Sequence, residues 1–235
     1  MKDGQEPEAY KIGWVPFLGL KIWLDSRPLI PRPETEWWTE LFCEEVGSVT
    51  KKVWPDSDGR PEDFLRGAPH LRVLDLCAGS GAIGCAVLKH CPNATVYFGE
   101  IDPAHKATIL KNIRENNLDE SRAEVRIGDL FEPFDEMQFD FIAANPPYVP
   151  EGRALPASVE NFEPARALRA GADGLAVIRR IAAELSKYLA PSGQAWVECD
   201  SPSAEAASGL FAAQGLKAEI RNDQYDRPRI IVISF

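Results

Sequence analysis

The chain lacks several things at once, and each lack removes a class of function. No apolar run among its 235 residues approaches the roughly 18 needed to cross a bilayer, and the polar N-terminus has no signal-peptide core. A membrane role is therefore not expected, and the cytoplasm is the expected compartment. Histidine is scarce: His70, His90 and His105 stand apart, with no H-x-x-x-H pair and no mixed Cys/His cluster, so no metal site is expected. The cysteines (Cys43, Cys77, Cys85, Cys91 and Cys199) are odd in number and contain no C-x-x-C pair, which fits reduced, mostly buried thiols in a cytosolic protein. Positive charge is short as well. A formal net charge of −10 argues against a protein that grips free nucleic acid through its phosphates.

What is present is ordinary globular material, 45% hydrophobic and 26% charged, enough for one α/β domain with an appendage. Residues 1–9 are polar and expected to be loosely ordered. From Phe17 to Leu24, Gly19 sits between two β-rich flanks, which predicts a hairpin. Leu29-Ile-Pro-Arg-Pro-Glu-Thr-Glu36 is held extended by its prolines, with Thr35 as the expected N-cap of a helix carrying Trp38 and Phe42. Residues 1–46 thus form an N-terminal hairpin and helix segment. Residues 47–70 turn to Pro, Gly, Asp, Ser and Lys and read as a linker, with one helical turn near Glu62–Arg66. Beyond it, strands are expected at 72–76, 95–100, 123–127, 139–143, 194–199, 217–222 and 229–235. Helices are expected between them, at 82–90, 103–117, 172–189 and 202–213. That alternation predicts a Rossmann-like, doubly wound, mostly parallel sheet over residues 71–235 with an antiparallel last strand.

Ligands on such sheets bind at the carboxyl ends of the strands, and the unusual residues of this chain fall there. Phe139-Asp-Phe-Ile-Ala-Ala-Asn-Pro-Pro-Tyr148 is a buried strand that stops at two prolines, which cannot continue a ladder. The resulting lip offers the Asn145 amide, the Pro146 carbonyl, the rigid Pro147 and the Tyr148 ring. It is either a clamp for a planar –NH2 group or a turn closed by an asparagine. Ala78, Gly79, Ser80 and Gly81 follow the first strand and let a ligand approach the backbone, and Glu100 ends the second strand where a ribose diol would sit. Asp129 and Leu130 follow the third strand; the carboxylate suits an adenine amine or simply starts a turn. Cys77 stands where a dinucleotide fold would carry its first glycine, so a pyrophosphate cradle is not expected.

Asp75-Leu-Cys-Ala-Gly-Ser-Gly81 is similar to motif I of class I methyltransferases. Together with Leu29–Glu36 and Asn145-Pro-Pro-Tyr148 it resembles the HemK/PrmC family of release-factor glutamine methyltransferases. The blocks Glu163-Pro-Ala-Arg-Ala-Leu168 and Asp223-Gln-Tyr-Asp-Arg-Pro-Arg229 agree, and the resemblance spans roughly Phe17 to Phe235. It implies methyl transfer from S-adenosyl-L-methionine to the glutamine amide of a Gly-Gly-Gln loop in a peptide chain release factor. Asp75, Cys77, Ala78, Gly79, Ser80, Gly81, Glu100, Asp129, Leu130 and Asn145 would then hold the cofactor. Asn145, Pro146, Pro147, Tyr148, Arg32 and Glu36 would meet the substrate, with Asn145, Pro146 and Tyr148 catalytic. The Asn-Pro-Pro-Tyr motif is shared with adenine-amine methyltransferases of RNA and DNA, which form the alternative. The resemblance also has departures. Only about sixteen residues precede the hairpin, so the family's usual N-terminal helical bundle is expected to be absent or reduced. Val197-Glu-Cys-Asp-Ser201 replaces a Glu-x-Gly run, and Asp226 stands where a glycine is common.

Overall fold

The computed structural model describes residues 4–53, 70–135 and 137–235. Residues 8–13 are more ordered than their polar surroundings suggest. A short helix α1 (Glu8–Ile12) forms behind Pro7 and closes on Gly13, whose φ of +87° permits the left-handed cap. The expected hairpin follows as β1 (Trp14–Phe17) and β2 (Leu20–Trp23), antiparallel around Leu18 and Gly19, both at positive φ.

Helix α2 (Pro33–Val53) begins with proline in its first position. Thr35 therefore lies inside the first turn and is buried, not at the N-cap; its hydroxyl is used elsewhere. The helix buries Trp38, Phe42 and Val46, and the Phe42 ring meets Phe141 and Trp196 edge-on, 5.9 and 5.7 Å between centroids. It also runs past Gly47, where the composition changes. The rest of the expected linker from residue 54 to 69, with its helical turn, lies outside the described residues.

The remaining elements are β3 (Leu71–Leu76), α3 (Ala82–His90), β4 (Ala94–Glu100), α4 (His105–Glu115), β5 (Ala123–Ile127) and β6 (Phe139–Ala144). Two single turns, α5 (Ala157–Glu160) and α6 (Ala165–Leu168), precede α7 (Ala176–Tyr188), β7 (Leu189–Glu198), α8 (Ala204–Ala212), β8 (Lys217–Asn222) and β9 (Pro228–Ser234). The sheet order is β5-β4-β3-β6-β7-β9-β8, parallel except where β9 runs against both β7 and β8. The doubly wound architecture with an antiparallel finish is thus present. Boundaries differ where local chemistry intervenes. Helix α4 starts at His105 because Asp102 spends its side chain and carbonyl on the preceding turn, accepting from Ala104 N and His105 N. Strand β7 begins at Leu189, with a register shift opposite Phe139–Phe141 that absorbs Ala190-Pro-Ser-Gly193.

The central strand β3 is buried on both faces, with Val73 packing toward α2, α3 and α4 and Leu74 and Leu76 toward α7 and α8. Since β4 and β6 flank β3 and their connections leave in opposite directions, a crevice opens at the carboxyl ends of these three strands. The hairpin is pinned beside it. Asn112 of α4 accepts from Trp23 N and donates to Trp23 O, Asn116 does the same with Lys21, and all four bonds are 2.7–3.1 Å. Two side-chain amides thereby complete the edge of β2 as a neighbouring strand would. No helix among the described residues is long and apolar enough to cross a membrane.

Candidate active site

The floor of the crevice is the turn from β3 into α3. Cys77, Gly79 and Gly81 all adopt positive φ (62°, 56° and 77°), which for cysteine is a strained conformation. The turn is tied down by its own backbone. Ala78 N donates to Gly99 O at 3.0 Å, Gly81 N to Ala78 O at 2.7 Å, and Ser80 O accepts from Asn112 Nδ2 at 2.8 Å. A Cβ at Gly81 would meet Ile109 and Phe98 at 3.1–3.2 Å, so that glycine serves helix–strand packing. Asp75 lies beneath, almost wholly enclosed: Oδ2 accepts from Gly84 N at 2.8 Å, and Oδ1 is buried without a partner. Burial pushes the Asp75 carboxyl up to about 8, opposed by the Gly84 bond and assisted by nearby Glu100.

Above this floor is a cavity of about 350 Å³, within the usual range for small-molecule sites. Cys77, Gly79, Glu100, Asp129, Leu130, Asn145 and Pro147 line it. Asp75, Ala78, Ser80 and Gly81 do not. Four residues expected to touch a cofactor instead build the turn that the others project from. Glu100 has both oxygens engaged, Oε2 by Gly79 N at 2.7 Å and Oε1 by Asp102 N at 2.8 Å, yet each keeps acceptor capacity toward the cavity. Asp129 is paired with Arg180 at 2.9 Å, and Leu130, at φ +50°, turns into the lining. The Cys77 thiol faces the same space, with its pKa raised by burial and then by Glu100 and Asp75. It is a packing thiol, not a nucleophile.

The lip forms the far wall. Asn145 Nδ2 donates to Thr35 Oγ1 at 3.1 Å, while its Oδ1 is buried and accepts nothing. Pro146 is buried, and its carbonyl accepts no hydrogen bond among the described residues. The Tyr148 hydroxyl donates to Glu198 Oε1 at 3.0 Å, and burial followed by the Glu198 charge raises its pKa. Its ring lines a second cavity of about 280 Å³ with Leu29, Arg32, Val149, Leu155 and Val159. The two cavities share Leu29, Asn145 and Ala167, so the Asn145 amide stands at their junction. Arg32 lies in the second cavity, held at 2.6 Å by Glu163, whose other oxygen accepts from Ile30 N. Pro146 and Glu36 line neither cavity; Glu36 instead accepts from Leu18 N at 2.6 Å and secures the hairpin turn, away from the substrate contact expected of it.

Three residues given no site role from the sequence complete the wall. Glu198, at the carboxyl end of β7, is enclosed and receives Thr35 Oγ1 and Trp38 Nε1 on Oε2, both at 2.7 Å. Glu163 fixes Arg32, and Arg169 donates to the carbonyls of Pro150 and Arg153, clamping the chain just beyond the lip. Glu198 carried a signal, an acid ending an otherwise apolar strand. Gly174 belongs to the same wall: a Cβ there would lie 2.4 Å from Tyr148 O. The site therefore pairs a larger cavity, lined by three carboxylates and three arginines, with a smaller, mostly apolar one, and Asn145, with its unpartnered amide oxygen, stands at their junction.

Comparison with known proteins agrees. Residues 63–202 match the methyltransferase small domain family. The release factor glutamine methyltransferase of Chlamydia trachomatis serovar L2 is 33% identical over 225 residues, 94% of this chain and 70% of that one. The ribosomal protein uL3 glutamine methyltransferase of Bradyrhizobium diazoefficiens is 34% identical over 191 residues, 80% of this chain and 56% of that one. Among solved structures, the T. thermophilus 16S rRNA methyltransferase RsmC, in complex with AdoMet and guanosine, superposes with a TM-score of 0.57 at 19% identity. It covers 94% of this chain and 49% of that one, a likeness of fold.

Proposed function

The chain belongs to the family of release factor glutamine methyltransferases, and from that premise we propose that Asn145 receives the Gly-Gly-Gln glutamine of a peptide chain release factor. S-adenosyl-L-methionine is the methyl donor. The larger cavity fits it: Glu100 offers acceptors for a ribose, Gly79 adds no side chain to the lining, and the three arginines that balance the acids include Arg180, paired with Asp129, and Arg169, turned to Glu160 and the Pro150 carbonyl. Glu100 would hold the ribose hydroxyls and Asp129 with Leu130 the adenine, while Asp75, Ala78, Ser80 and Gly81 act by shaping the turn. The methyltransferase domain is assigned to residues 71–235, preceded by the hairpin and helix segment.

The observation that carries the substrate assignment is the buried, unpartnered Oδ1 of Asn145. An unmet acceptor of this kind costs about 1–3 kcal/mol, and a primary amide supplies the missing donor. A glutamine –NH2 has two hydrogens, and the Asn145 Oδ1 and the free Pro146 carbonyl are two acceptors for them. Amide nitrogen is a poor nucleophile because its lone pair is delocalised. Holding both hydrogens aims that lone pair, and positioning alone supplies up to about 7–11 kcal/mol in the best cases. The donor, when bound, presents an electrophilic methyl group. The nitrogen would become acidic on taking that methyl group, and its proton would leave along the hydrogen bond to the Asn145 or Pro146 oxygen and on to solvent, so no dedicated base is needed. Tyr148 and the apolar wall of the smaller cavity exclude water from the glutamine side chain, and Arg32 borders its entrance. The net charge of −10 supports a protein substrate over free nucleic acid.

Incubating the purified protein with S-adenosylmethionine and, separately, a release factor, a uL3 fragment and an RNA hairpin tests the proposal by mass spectrometry. One methyl group on the Gly-Gly-Gln glutamine is expected. Methylation of uL3 alone would replace the partner, and methylation of RNA alone would overturn the glutamine assignment.

A further inference from the structure

Two of the polar side chains behind the lip have no direct access to either cavity, yet they form a chain that ends at the Asn145 amide. Trp38 Nε1–H can only donate, and it donates to Glu198 Oε2 at 2.7 Å. That oxygen is therefore an acceptor whether or not Glu198 carries a proton, since a proton on the carboxyl has room on Oε1, where the Tyr148 hydroxyl can turn to accept it. The Thr35 hydroxyl has one hydrogen, and Oε2, 2.7 Å away, takes it. Only the lone pairs of Thr35 Oγ1 remain for Asn145, so the atom 3.1 Å away must be the donor Nδ2. The acceptor Oδ1 is then left facing away from Thr35, buried and unpaired.

We propose that Thr35 and Glu198 are positioning residues that lock the Asn145 amide in the single flip state able to accept from a target –NH2. A freed amide would turn over and present its own –NH2 to the target –NH2, donor against donor. The lock sits outside both cavities, in the first turn of α2 and at the end of β7, so it sets the rate of the chemistry without touching substrate. This extends the glutamine-clamp reading and rests on it for the direction of the effect on turnover.

Thr35→Val keeps the shape and removes the hydroxyl; Thr35→Ser restores it. Thr35→Val is expected to lower kcat on the order of 100-fold, the cost of misdirecting a reacting group, with KM for peptide and affinity for S-adenosylhomocysteine within about threefold of the parent. Thr35→Ser should recover most of the loss. Trp38→Phe removes another donor from the same Glu198 oxygen but leaves the Thr35–Asn145 bond, so it controls for stability: its melting temperature should fall at least as far while its kcat stays well above that of Thr35→Val. A second readout needs no substrate. Side-chain ¹⁵N NMR should show the Asn145 Nδ2 hydrogens protected from exchange in the parent and in Thr35→Ser, and unprotected in Thr35→Val. Undiminished turnover in Thr35→Val, or equal impairment in Thr35→Ser, would sink the lock. If the parent methylates no glutamine while the exchange pattern appears as stated, the lock stands and the substrate reading fails.

Discussion

The two walls of the crevice handle hydrogen bonds in opposite ways. On the β3–α3 side, the Ala78, Gly79 and Gly81 amides, the Ser80 carbonyl and both oxygens of Glu100 are already bonded within the protein. On the lip side, Asn145 Oδ1 and the Pro146 carbonyl are left open. A saturated wall is a scaffold whose shape exists before any ligand arrives; it contributes by contour and by the spare lone pairs of groups already held in place. An unsaturated wall carries a cost of about 1–3 kcal/mol per buried group that a ligand relieves, so it selects for that ligand's donors. Preformed shape for the donor molecule and unmet acceptors for the target suit a site where one molecule binds broadly and the other must be aimed.

The lip is the place to break this contrast most severely. Asn145→Ala removes the open acceptor and should reduce kcat by about 10²–10³-fold, the scale seen when one preorganised hydrogen-bonding group is deleted from a catalytic site. Affinity for S-adenosylhomocysteine should change little. Calorimetry showing affinity lost in proportion to turnover would make Asn145 part of the cofactor wall. On the opposite wall the effect should appear in binding. Glu100→Ala forfeits hydrogen bonds to a charged group, each about 1.5–3 kcal/mol, so the cofactor Kd should rise about 10- to 100-fold. Turnover at saturating cofactor should then return to within a few-fold of the parent. Unchanged affinity would remove Glu100 from the ribose assignment.

The two walls also differ in how well the sequence announced them. The alternation of strands and helices, the hairpin around Gly19 and a ligand crevice at the strands' carboxyl ends follow from periodicity and turn residues, because a parallel sheet buried on both faces leaves near-continuous apolar runs that stop sharply. The Asn145–Tyr148 lip was legible for the same reason, as a run ended by proline. Contacts between residues more than a hundred positions apart were not. Thr35 looked like a helix cap because its neighbours suit one, and only tertiary packing shows Pro33 taking the first turn and the hydroxyl turning to Glu198, 163 residues away. Glu36 was expected to meet the substrate from its motif, but the hairpin, only 18 positions earlier, claims it through Leu18 N. Motif I was found as a block, yet of Cys77, Gly79 and Gly81, all at positive φ, only the first two reach the cavity, a division that no spacing rule encodes.

Within the saturated wall, packing should outweigh polarity. A Cβ added at Gly84 would fall 2.3 Å from the Phe98 ring, with two more ring atoms within 3 Å. Both are enclosed between α3 and β4, so relief requires a backbone shift. Gly84→Ala is expected to cost about 1–3 kcal/mol of stability, as overpacked cores do, despite the better helix propensity of alanine. Denaturant titration would measure it, and the turn's displacement should weaken cofactor binding without the selective kcat loss expected of the lip. A stabilised variant would mean that the floor of the site is softer than its hydrogen bonds imply.

A pH-dependent effect concerns a buried side-chain oxygen of the turn that has no partner among the described residues, Asp75 Oδ1. With its folded-state pKa pushed up from 3.8 to about 8 by burial, the native protein keeps a proton there that the unfolded chain releases. The folded state then binds more protons between these two values, so stability falls as pH rises through that window. The slope is at most about 1.4 kcal/mol per pH unit for one proton. Below pH 3.8 both states are protonated and the group contributes no slope; above 8 the loss is complete. Asp75→Asn places a permanently neutral amide in the same space, with a carbonyl still able to accept from Gly84 N. Its stability relative to the parent should therefore grow steadily from pH 5.5 to pH 7.5 in parallel urea titrations. A difference constant across that range would show Asp75 ionised throughout. The buried Oδ1 would then be an acceptor held open in the floor, and the floor would share the unsaturated character of the lip.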